Sequence, residues 1–351
     1  MSEIKEALKQ LKKDAYEDYK TEDKPSKKES MSYFGRCFLY SSELVFKEKE
    51  IITFALLQFA CIGLGYYLWA QMLSWIPEEV WKSAKDSDGG SPADLVLLLW
   101  SFICVGLTTY PLGLLTSCMG AAHFLHENGE ESTIAKCFRI VLPRAWPIWI
   151  FSWLDGWWTV NRILDRLPSK RKRGSLAQRL IEEAIYQAWK IASLGFLPAL
   201  IAGRGVADSC KDSLGVLKAS FKHLSQLRIA YVAVCWIFGI GSYVGCIFIA
   251  IFFYSHIFGN NNVYAFYLFA GVPMLVALFF IQVIFRPIYF LSACRIYSDY
   301  VRKNNIPVVL PTVSGFSSTI VAFLVLAIIV GTVFLYRDAL GITYLLSIPY
   351  K

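Results

Sequence analysis

Charge is scarce in this chain: 18% of its 351 residues are Asp, Glu, Lys or Arg, against 56% hydrophobic and 16% aromatic. With several uninterrupted apolar runs of spanning length, that balance excludes an ordinary soluble domain and points to a multi-pass, all-α membrane protein. The alternating segments of about ten residues that build a transmembrane β-barrel are missing. So is any CxxC pair: the nine cysteines (Cys37, Cys61, Cys104, Cys118, Cys137, Cys210, Cys235, Cys246, Cys294) are odd in number, scattered and mostly inside apolar segments. They read as small core residues, not as a disulfide framework or a metal knuckle. The charged opening residues lack the apolar stretch of a cleavable signal peptide, so the first hydrophobic span is expected to serve as the insertion signal. Walker, nucleophile-elbow and HExxH motifs are all lacking, no carboxylate pair stands out, and neither an enzymatic activity nor a cofactor is expected.

What is present is organised around Ile181–Arg228. An apolar helix with Trp189 and Lys190 near its start carries Pro198 in its body and reaches Gly203 and Gly205, where it should stop. A second helix then begins near Ala207, with Val206, Leu214, Leu217 and Phe221 on one face and Lys211, Lys218 and Lys222 on another. That pattern suits a helix lying on a membrane surface.

Five apolar runs, at about 51–75, 95–124 (with Pro111), 229–254 (with Gly241 and Gly245 at GxxxG spacing), 263–285 (with Pro273) and 316–336, follow one another in a single membrane domain, 31–351. The expectation is four full spans plus re-entrant or in-plane amphipathic helices, with 316–336 as the fifth apolar run. Residues 1–30 read as a charged helix and linker, with Ile4, Leu8, Leu11 and Ala15 at helical spacing. This segment is either a solvated arm or a helix for a protein partner. Loops rich in Lys and Arg stay in the cytoplasm. The loop 76–94, with two Lys and five acids, is therefore expected outside and the N-terminus inside. Trp146, Trp149, Trp153 and Trp157 form one face of an interfacial helix over 145–163, with Asp155, Thr159 and Arg162 opposite. Asp155 at the bilayer centre would cost about 3 kcal/mol, which argues for a shallow helix. The basic Lys170, Arg171, Lys172 and Arg173 belong inside by the same charge rule, so 145–202 must cross an even number of times. The count is either none, with 145–163 and 184–202 re-entrant or in-plane, or two, with the basic cluster outside; only the first keeps that cluster inside.

Three sets of residues are candidate sites. Lys170, Arg171, Lys172 and Arg173 with Lys211, Lys218 and Lys222 form a basic rim for anionic lipid headgroups, and the net charge of +8 suits such lipids rather than nucleic acid. Asp155 and Arg162 are candidates for a polar groove, although an in-plane helix also needs a polar face. His123, His126, Glu127, Glu130 and Glu131 have ligand-compatible spacing at the end of the second span, but histidines at a helix C-terminus also favour the dipole, and no metal is expected.

Several weak marks, in order, carry a resemblance: Lys49-Glu50 before the first span, Gly129-Glu130 after the second, Trp189 leading to Pro198, then Gly205, Lys211 and Ser213. Over roughly Ser32–Tyr254 the chain resembles an uncharacterised bacterial family of multi-pass inner-membrane proteins. That family is distantly similar to the membrane domain fused to some glycerophosphodiester phosphodiesterases. It usually has a glutamate between the proline and the glycine; here Gly203 and Arg204 stand there, and no glutamate follows Glu183. The resemblance implies architecture and a bacterial inner-membrane location rather than chemistry. Together these readings give a non-enzymatic integral membrane protein that engages lipids or organises membrane partners, with a carrier or flippase for an amphiphile as the alternative.

Overall fold

Backbone N–H and C=O groups in an apolar layer must pair within their own segment, and this chain meets that demand with helices. No strand occurs among the described residues, and the protein is an all-α polytopic helical protein. The computed structural model describes residues 27–77, 92–166, 176–257, 263–310 and 318–347. The expectations for Ile4 to Ala15 and for Lys170, Arg171, Lys172 and Arg173 fall outside these residues.

In chain order the helices are α1 (Lys27–Lys47), α2 (Lys49–Ser74), α3 (Pro92–Glu127), α4 (Ile134–Val141) and α5 (Ala145–Arg166). Then come α6 (Leu176–Ala192), α7 (Phe196–Ile201), α8 (Val206–Ile257), α9 (Val263–Phe280), α10 (Arg286–Lys303), α11 (Ser318–Leu335) and α12 (Ile342–Leu346). Among the described residues six stretches are long and apolar enough to cross a membrane: Lys49–Met72, Leu95–Glu127, Ile181–Ile201, Val206–Phe248, Gly271–Lys303 and Ser318–Leu335. The third joins α6 and α7 through a 3₁₀ turn at Ser193–Gly195, so the 184–202 region meets the length and composition of a span, beyond the five runs expected. The surface helix expected at 207–228 and the span after it form one element, α8, kinked where Ser220 takes φ −132° and ψ 25°. Likewise α9 runs into α10 through a π turn at Ile281–Phe285. Pro287 lacks an N–H, and the wider turn passes over that missing donor.

Side-chain pairs set the helices in register. Gln58 Nε2 donates to the Leu112 carbonyl at 3.0 Å and Trp69 Nε1 to Ser101 Oγ at 3.0 Å, so α2 and α3 are antiparallel. Helix α5 then runs back along α3. Trp149 Nε1 donates to the Gly106 carbonyl at 2.9 Å and Trp153 Nε1 to the Phe102 carbonyl at 3.0 Å, while Ile148 and Ser152 lie on Gly113. Contacts over this many turns place α5 lengthwise against the middle of a spanning-length helix. The helix expected at 145–163, re-entrant or in-plane or else one of two crossings, thus lies along α3, and it is not among the six stretches of spanning length and composition. The cause of that packing lies in the tryptophans, whose buried indole N–H groups find main-chain acceptors on α3 instead of water. Helix α6 returns antiparallel to α5, with Lys190 beside Asp155 and Glu182 beside Arg162.

These pairings define two ends. At one, α1 packs with the end of α3, the first half of α8 and the end of α10; Tyr33 Oη, for example, donates to Asp299 at 2.8 Å. Most of the core lies here, around Leu44, Phe54, Met119, Ile148, Leu200, Leu291 and Tyr297. At the opposite end a smaller core joins Met72, Ile76, Trp100, Val330 and Leu346. Helix α11 connects the two, from Trp146–Ser318 at 3.1 Å to Trp75–Phe334 with ring centroids 5.1 Å apart.

Candidate functional site: a charged hairpin and a basic helix

Helix α5 is aromatic on the face toward α3 and polar on the face toward α6. Lys190 Nζ lies 2.6 Å from both carboxylate oxygens of Asp155 and donates to Thr159 Oγ1 at 3.0 Å. Trp189 Nε1 also donates to Asp155, at 3.2 Å. One to two turns further, Tyr186 Oη lies 3.4 Å from Thr159 Oγ1, and Arg162 Nη1 is 3.0 Å from Glu182. On the α8 side, Arg228 Nε donates to Gln187 at 3.0 Å, and Gln187 to Glu183 at 2.7 Å. Asp155 and Arg162, the expected groove residues, therefore stand in one polar ladder but in two separate ion pairs. Lys190, Glu182 and Arg228 belong to it as well. Their only sequence signal is a charge inside an amphipathic or apolar helix, which does not name the partner.

The first half of α8 presents three sectors. Ser209, Asp212, Ser213 and Val216 are buried against the bundle; Val206, Leu214 and Phe221 are exposed and apolar; Lys211, Lys218 and Lys222 are exposed beside them. None of the three lysines makes an ion pair among the described residues. The helix is held by Arg204 Nε to Asp212 at 2.8 Å, by Tyr297 Oη to Asp212 at 3.3 Å and by Ser213 Oγ to the Ala192 carbonyl. Its approach turn needs Gly203, whose φ is +88°, and Arg144 Nη2 donates to the Gly203 carbonyl at 3.0 Å.

The five residues at the end of α3 diverge. His123 is fully buried, 3.7 Å from Glu127, whereas His126 Nδ1 faces Glu48 at 2.9 Å and Glu130 faces Lys136 at 3.8 Å. Among the described residues no three His, Cys, Asp or Glu converge as a metal set. Glu127, singled out in sequence only as a metal candidate, is instead an ion-pair hub, with Arg295 at 2.5 Å and Arg302 at 3.3 Å binding α3 to α10. Nearby, burial raises the Tyr33 phenol well above its ordinary value. A polar cleft lined by Tyr40, Glu43, Leu44, Lys47 and His126 holds about 70 Å³, room for a few waters. Comparison with known protein families, with curated proteins and with solved structures finds no match for the chain.

Proposed function

We propose that this is a non-enzymatic integral membrane protein that engages anionic lipids through the first half of α8. The observation that carries the reading is the division of that helix into a buried sector, an exposed apolar sector and an exposed lysine sector. A helix so divided rests its apolar flank in the acyl boundary while its lysines reach the headgroups. Arg204, Arg295, Arg302 and Lys303 occupy the same end of the bundle, and by the charge rule that end is cytoplasmic. The resemblance to bacterial inner-membrane proteins supports that membrane as its location. Organisation of protein partners through the N-terminal segment, residues 1–30, is a second route to the same role.

The test is lipid enrichment in nanodiscs of mixed anionic and zwitterionic lipid. Replacing Lys211, Lys218 and Lys222 by glutamine is expected to weaken the anionic preference by about 1 kcal/mol per residue without changing the unfolding midpoint. An unchanged preference would reduce these lysines to a solvated face.

A further inference from the structure

The charged ladder between α5 and α6 lies where charge is expensive. Helix α5 packs along Phe102–Gly113 of α3, inside the spanning-length stretch Leu95–Glu127. Asp155 follows Trp153 by two residues, so the ladder starts at that depth. From Asp155 to Arg162 it extends seven residues, about 10 Å along the helix. The ladder is not sealed: the side chains are 27% exposed at Asp155, 15% at Lys190, 14% at Arg162 and 43% at Glu182. A brace between two helices needs no charge, since apolar pairs of like volume do as well or better. Partly open ion pairs in an apolar layer instead require something polar to cover them.

The surroundings say what kind of cover fits. Leu154, Ile181 and Ile185, on the same hairpin, are exposed and apolar, and Trp158 and Trp189 flank the ladder with ring centroids 5.6 Å apart. Cations and anions alternate across it at two successive levels, with the Thr159 and Tyr186 hydroxyls between. An open polar strip bordered by apolar side chains matches an amphiphile whose head carries both charges and whose chains stay in the bilayer. The clefts beside Phe38 and Tyr289 and beside Tyr40 and Glu43 lie elsewhere and are far smaller than the roughly 300 Å³ of an ordinary ligand pocket.

We propose that the α5–α6 hairpin is a headgroup track for zwitterionic phospholipids. The phosphate exchanges onto Lys190 and Arg162 as the ammonium exchanges onto Asp155 and Glu182, and the lipid passes between leaflets down its own gradient. The ion pairs open and reclose without net charge movement, so no nucleotide or coupling ion is consumed. This activity is separate from the anionic preference of α8.

The test uses the full-length purified protein in phosphatidylcholine vesicles that contain acyl-chain-labelled fluorescent phosphatidylcholine, with dithionite as the outside quencher. Protein-free vesicles lose only outer-leaflet fluorescence; vesicles with protein are expected to lose the inner-leaflet signal too. The neutral double variant Asp155→Asn/Lys190→Gln removes both charges of the pair without leaving either one unpaired and is expected to slow exchange about tenfold, the loss of a charge-assisted contact. Glu182→Gln, at the exposed rim, is expected to slow it to a lesser degree while folding normally. Bleaching confined to the outer leaflet with the parent protein overturns the proposal. So does a parental rate in either folded variant, which would leave the ladder as a brace. Because the vesicles hold no anionic lipid, loss of the α8 preference cannot produce either result.

Discussion

Gly106→Ala tests the packing on which the account depends. A Cβ at Gly106 would meet the Trp153 ring at 2.5 Å (Cε2) and 2.6 Å (Cζ2), an overlap of about 1 Å relative to ordinary carbon contacts. The indole cannot retreat without leaving the Phe102 carbonyl, to which its Nε1 donates at 3.0 Å. Overpacking costs about 1–3 kcal/mol and the weakened hydrogen bond about 1 kcal/mol more. The better helix propensity of alanine returns about 1 kcal/mol, leaving a net loss of about 1–3 kcal/mol. Gly241→Ala is the matched control, because a Cβ there has nothing within 4 Å. Reversible unfolding in mixed micelles, followed by tryptophan fluorescence, should separate the two variants by at least about 1 kcal/mol. Equal stability of Gly106→Ala and Gly241→Ala would refute a helix α5 lying lengthwise on α3.

Gly203→Ala should destabilise by about 1–2 kcal/mol, since φ is +88° there and Cβ crowds the carbonyl in that region. Gly205→Ala should be near neutral, because its nearest neighbour, the Asp208 carboxylate, is 3.7 Å from a built Cβ; unfolding midpoints that fall together would contradict the turn. Burial pushes the Cys137 thiol up to about 12, whereas Cys210 is exposed. Since the thiolate is the reacting form, maleimide at pH 8 should label Cys210 and spare Cys137 until the protein unfolds. Labelling of Cys137 at the rate of Cys210 in folded protein would contradict the buried α4 interface.

Local periodicity made much of this fold legible. The apolar runs became helices, and the basic and apolar faces around Lys211, Lys218 and Lys222 stand where a helical wheel puts them, because an amphipathic pattern is a property of one segment. Partners across helices were not legible. Four tryptophans at helical spacing mark a face, and the same face suits an interface or the main-chain carbonyls of Phe102 and Gly106; only packing distinguishes them. Asp155 was visible as a costly charge, but its partner Lys190 lies 35 residues away on another helix, and Arg295 lies 168 residues from Glu127. Both glycines of the GRG turn looked alike in sequence, yet only Gly203 has positive φ.

The most direct test of the account is the sidedness of the two ends of α5. Single cysteines are placed at Arg144 and at Arg166 in a chain with Cys210→Ser, which also serves as the blank. Intact cells are treated with a membrane-impermeant maleimide before and after permeabilisation. A helix that crosses lengthwise with α3, the two-crossing alternative with Lys170, Arg171, Lys172 and Arg173 outside, should put the two positions on opposite sides: Arg166→Cys labelled in intact cells, Arg144→Cys only after permeabilisation. Protection of both until permeabilisation would return α5 to the cytoplasmic surface and remove the charged ladder from the membrane.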